Sequence, residues 1–108
     1  DDLIVEGVAA GAVGWIAGLV NAFPRESVAL FNLATQARHD EARKLYEWFL
    51  PLLRMDVVPE FVHLIKLVQS QVGMGSAALR SPRLQLEGTA LEAALATIRD
   101  ALANRPKL

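Results

Sequence analysis

The sequence predicts a mainly α fold with one buried strand near its start, and three observations carry that expectation. Apolar residues recur at helical spacing through most of the 108-residue chain. The apolar share of 53% is chiefly Ala, Leu and Val, with only 6% aromatics, a composition that suits tightly packed helices. One short uncharged run, GAVGWIAGLVNAFP from Gly11 to Pro24, breaks the helical rhythm. The length suits a single domain with room for one core.

The elements follow in order. Leu3 to Ala10 reads as a short helix stopped at Gly11. Val13 to Val20 reads as a fully buried strand, apolar on both faces as in a parallel sheet, with Asn21 at its carboxyl end. A membrane helix competes for Leu3 to Val20, because Glu6 is its only charge and Gly7/Gly11 and Gly14/Gly18 are small-xxx-small spacings. Against that, glycines and Asn21 interrupt the uncharged run, and no basic residue flanks it before Arg25.

Four helices are expected after this run. Pro24 to Gln36 opens with proline and Glu26, suited to a first turn, and directs Val28, Phe31, Leu33 and Ala34 inward. Asp40 caps a second helix with Ala42, Leu45, Tyr46, Phe49 and Leu53 on one face, opposite Glu41, Lys44 and Glu47; Pro51 tightens its last turn. A third runs from Glu60 to Val72 on a stripe of Phe61, Leu64, Ile65 and Val68, with Gly73 as its stop. MGSAALRSPRLQLEG keeps no helical period and reads as an extended connector. The last helix, Thr89 to Ala103, gathers Leu91, Ala94, Leu95, Ile98 and Leu102, with Thr89 and Glu92 as a capping box.

Composition also excludes function classes. Eleven basic and twelve acidic residues give a net charge of -1, so nothing draws the chain to nucleic acid. Without cysteine there is no disulfide framework and no thiolate-ligated metal, which fits a cytoplasmic setting. The opening Asp1-Asp2 lacks an initiator methionine and a basic segment, so the start reads as the middle of a protein, not as a signal peptide. The polar end, Asn104 to Leu108, reads as a helix stop and a free terminus.

Few residues invite chemistry. Lys66 is the one lysine within a strongly apolar stretch, and a helix lysine whose stem packs while its ammonium reaches water accounts for it; Lys44 and Lys107 lie in a charged face and a tail. His39-Asp40-Glu41 are adjacent and diverge on a helix, and His63 has no carboxylate on its own face, so no metal site is expected. Trp15 fills space left by small neighbours or lines a pocket, whereas Tyr46 and Trp48 read as packing or interface residues. GMGS is too poor in glycine for a phosphate loop.

A helix, a buried strand, a polar residue at the strand's end and another helix is the rhythm of an α/β barrel or a doubly wound sheet. The order DD, then GA, GWIAGLVN-FP, KLVQSQVGMGS and RSPRLQLEG resembles the C-terminal part of the N-acetylneuraminate lyase and dihydrodipicolinate synthase family over essentially the whole chain. GAVGWIAGLVNAFPRESV looks most like its deaminases of bacterial hydroxyproline breakdown, which act on 1-pyrroline-4-hydroxy-2-carboxylate. The resemblance implies a (β/α)8 barrel that forms a Schiff base between a strand lysine and a 2-oxo acid or cyclic imino acid. It implies no metal or cofactor, and commonly a homotetramer. Residues 1–23 would then be helix 7 and strand 8, and residues 24–108 the last barrel helix and a helical tail. Asp1, with its neighbour Asp2, falls on an acidic position of the loop after strand 7 that holds polar substrate groups. Gly18 falls where sialic-acid lyases carry a hydroxyl that touches substrate, a departure that speaks against sialic acid. Asn21 matches a frequent asparagine at the end of strand 8. The Schiff-base lysine and proton-relay tyrosine match nothing here, so no catalytic residue is assigned. The alternatives are a helical assembly module without catalysis, another family member such as dihydrodipicolinate synthase itself, and a small membrane-inserted helix pair.

Overall fold

The computed structural model describes residues 1–108, and every regular element in it is helical. α1 (Ile4–Ala9) stops at Gly11, whose φ of 107° lets the Ala12 N–H turn back to the Gly7 carbonyl at 2.9 Å. Residues 12–17 are irregular, and a 3-10 turn spans Leu19–Asn21. α2 (Pro24–Thr35) and α3 (His39–Leu53) follow, and α3 runs through Pro51 into a 3-10 turn at Arg54–Val57. α4 (Phe61–Gln71) closes on Gly73, φ 72°, with the Met74 N–H bonded to the Gln69 carbonyl at 2.9 Å. Residues 76–80 and 83–87 connect irregularly to α5 (Gly88–Ala103). The two glycine stops have the same cause, since a left-handed residue returns two orphan carbonyls to the chain.

The core lies between the helices. Phe23, Leu30, Phe49, Leu52, Leu53, Val68 and Ile98 are fully or almost fully buried, and α3 supplies more of the core than any other helix. Phe23 meets Trp48 and Phe49 edge-on, with centroids 5.6 and 5.8 Å apart, arrangements in which ring edges face ring faces. The Trp48 indole N–H donates to the Ala101 carbonyl at 2.8 Å and so ties α3 to α5.

Several expectations are corrected. Val13 to Val20 is not a strand: residues 13–17 take part in no backbone hydrogen bond, Val13 and Ile16 are fully exposed, and Gly18 to Asn21 coil into the turn. A parallel strand needs a neighbour to bond, and this chain contains none. α2 forms where expected with its phase shifted: Val28 points outward, while Leu30, Glu26 and Ser27 are buried. Glu26 is drawn inside by Arg105, whose Nε lies 2.6 Å from Oε2. Asp40 does not cap α3, which begins a residue earlier with Arg38 as N-cap; Asp40 is exposed 3.7 Å from Arg43. Thr89 and Glu92 form no capping box because α5 begins at Gly88, which places Thr89 inside its first turn. Phe61, expected inward, sits in the first turn of α4 and is 43% exposed.

Candidate functional site

Asp1, Gly18 and Asn21 converge on the turn that follows the irregular residues 12–17. The Asp1 carboxylate accepts from the Gly18 N–H at 3.2 Å and the Leu19 N–H at 2.9 Å. These are orphan amides at the start of a helical turn, so a carboxylate there satisfies donors that would otherwise lack partners. Leu19 is completely buried, which anchors the turn from below. Asn21 is exposed, and its Nδ2 donates to the Gly18 carbonyl at 2.8 Å. The Asn21 carbonyl in turn accepts from Gln69 Nε2 at 3.4 Å, a contact that brings α4 to the turn.

Gly18 is hemmed in by the tail. A Cβ built there would lie 2.7 Å from Cγ of Asp56 and 2.8 Å from Cδ1 of Ile65, with Oδ1 of Asp56 closer still. A hydroxyl side chain at position 18 would require the ends of the Asp56 and Ile65 side chains to shift. Asp1, Gly18 and Asn21 are thus brought together, and Asp2 adjoins them through the chain. The Asp2 carbonyl accepts from the Tyr46 hydroxyl, which also lies 2.9 Å from Oε2 of Glu6. Burial, then the hydrogen bond and charge of Glu6, push the Tyr46 phenol far above its ordinary range, so it is a neutral donor here.

Sequence reasoning missed Asp56. It arrives from the turn after α3, and nothing in RMDVVP signals that the fold carries it to Gly18. The remaining candidates stay apart. Lys66 is half-buried on α4, and Lys44 and Lys107 are exposed. His39 is exposed, while Nδ1 of His63 is shielded without a partner. No group of three His, Asp or Glu residues converges as a metal site would. Trp15 lines a cleft of about 270 Å³ with Ala17, Val20, Val28 and Phe31.

With this geometry in hand, the model of the Dihydrodipicolinate synthetase family matches residues 1–101. The chain belongs to that family. Membership implies a barrel parent for this mainly α chain, and it makes the chain part of a family of Schiff-base class I lyases. No curated protein and no solved structure matches the chain. No helix is long and apolar enough to cross a membrane.

Proposed function

We propose that residues 1–23 complete a (β/α)8 barrel as helix 7 and strand 8, and that residues 24–108 are its last helix and helical tail. The protein then acts in the cytoplasm, as a homo-oligomer, on a 2-oxo acid or cyclic imino acid, as a lyase or deaminase of hydroxyproline breakdown. One observation carries this reading: residues 13–17, without backbone hydrogen bonds, end in a polar turn where Asp1, Gly18 and Asn21 meet. In an α/β barrel the carboxyl end of a strand is where substrate binds.

In this reading a lysine outside residues 1–108 supplies the amine. Its attack on C2 expels the carbonyl oxygen of a 2-oxo acid as water, or breaks the ring C–N bond of a cyclic imino acid and leaves that nitrogen as a tethered amine, and the resulting imine serves as an electron sink. Asp1 fixes the Gly18 and Leu19 amides, and Asn21 closes the turn on the Gly18 carbonyl. These residues shape the rim and donate no electrons. Because the parts of such a site act as a unit, the rim alone gives no fractional activity.

Borohydride trapping tests the proposal. With pyruvate or the 2-oxo acid product of the hydroxyproline pathway, the 108-residue chain should form no adduct above the background of surface lysines. The full-length protein should trap one adduct per subunit, at a lysine outside this sequence. Stoichiometric trapping of the isolated chain at Lys66 would overturn the assignment.

A further inference from the structure

Position 18 has no side chain, yet the space for one is filled. A Cβ contact under 3.0 Å forces something to shift, and two atoms of the tail, Cγ of Asp56 and Cδ1 of Ile65, stand inside that limit. Asp56 is carried by the 3-10 turn at Arg54–Val57, which buried Met55 and Leu53 fasten to the core. Ile65, on α4, is buried as well. The backbone that carries the carboxylate beside Gly18 is therefore fastened to the core, and the carboxylate is the outer end of its side chain.

The two acids at this turn differ in what they are free to do. Both oxygens of Asp1 are engaged by backbone amides. Asp56 pairs with the amino group of residue 1 at 3.8 Å, which is a peptide N–H in any chain that continues upstream, and the Asp1 carboxylate lies at the same turn. Its side chain is 19% exposed, so it is partly desolvated but still reachable. A carboxylate so placed takes hydrogen-bond donors strongly and repels other carboxylates.

We propose that Asp56, standing in the side-chain space of Gly18, is a specificity-determining residue that accepts a hydrogen bond from a substrate hydroxyl or protonated imine N–H. The inference rests on the reading that this turn faces substrate. It selects, among 2-oxo and cyclic imino acids, those carrying a donor at that position, and it works against those carrying a second carboxylate.

The test uses the full-length protein with Asp56→Ala and Asp56→Asn, and measures the concentration dependence of borohydride trapping. The probes are a 4-hydroxy-2-oxo acid, its deoxy counterpart and a 2-oxo dicarboxylate. Asp56→Ala should weaken trapping of the hydroxylated acid about tenfold or more, the scale of a lost hydrogen bond to a charged group. The deoxy acid should be unaffected, and Asp56→Asn should admit the dicarboxylate better than the unaltered protein does. Equal losses for hydroxylated and deoxy acids, or no loss for either, would overturn the inference while leaving the Schiff-base reading intact. No trapping of any probe by the unaltered protein would remove that reading and this inference with it. A second arm reads the geometry without activity: Gly18→Ser should lower the melting temperature, and adding Asp56→Ala should recover part of that loss, the remainder being the contact with Ile65. Failure of that rescue would show that Asp56 does not fill the space.

Discussion

Residues 24–108 and residues 1–23 are built on opposite principles. The helical layer satisfies its backbone within each helix and buries Leu30, Phe49, Leu52, Leu53, Val68 and Ile98 in one core. The first 23 residues leave an irregular run without backbone hydrogen bonds and expose Val13 and Ile16 almost completely. They are held at a few points instead: Leu19, Ala22 and Phe23 enter the core, Asp1 grips the turn, and Tyr46 holds the Asp2 carbonyl. A helix pairs its own amides, whereas an extended segment depends on neighbours. That difference explains why one part of this chain forms a packed structure and the other presents unpaired backbone.

The largest effect belongs to the layer. Phe49 is fully buried and contacts both Phe23 and Trp48. Phe49→Ala should cost about 3–5 kcal/mol through lost transfer energy and an unfilled cavity. Urea unfolding measures this, and a loss below about 1 kcal/mol would mean that the layer is not the stable part.

A smaller loss is expected where the tail is clasped to α2. Glu26 is 2% exposed, Arg105 pairs with it at 2.6 Å, and the guanidinium lies 4.9 Å from the Phe23 centroid. Its other oxygen, Oε1, is buried without a partner, so removing the arginine leaves a carboxylate almost wholly uncompensated. Arg105→Ala should cost about 2 kcal/mol, below the ~3–5 kcal/mol of fully buried pairs because Arg105 keeps solvent on one side. Adding Glu26→Gln should recover part of that loss, and additive losses in a double-mutant cycle would show that the two residues do not couple.

Legibility in the sequence follows the same division. Helix positions were readable because periodicity and glycine stops are local; Gly11 and Gly73 end their helices as their spacing suggested. The face of α2 was not, because the partner that buries Glu26 lies 79 residues away. Asp1 was singled out only through resemblance to a family, Asn21 also from its place at the end of the expected strand, and Asp56 not at all, since three-dimensional packing alone brings it to Gly18. The strand expected at Val13 to Val20 failed for the reason that separates the two regions: its pairing groups are not local.

Tyr46 bridges the regions, and pH probes that bridge. Tyr46→Phe should cost about 1 kcal/mol for the lost hydrogen bonding. The folded phenol titrates above its ordinary value near 10. Its contribution is therefore fully present below about pH 10 and is lost as pH rises beyond that, because only the unfolded chain releases the proton easily. Unfolding free energy should fall above pH 10 in the unaltered chain and fall less steeply in Tyr46→Phe. Identical slopes would mean that the phenol is no better protected folded than unfolded.

The smallest effect should come from the exposed run itself. Ile16 has no covering contact, so Ile16→Ser in the 108-residue chain should change stability by no more than about 0.5 kcal/mol, as for other surface positions. In the full-length barrel, where the proposal pairs this segment as strand 8, the same substitution removes a buried side chain and should cost about 2 kcal/mol or more. The contrast between the two backgrounds carries the information, since residue and replacement are shared and the surroundings differ. A cost as small in the full-length protein as in the chain would mean that Ile16 stays in water there too, and residues 13–17 would then not be a barrel strand.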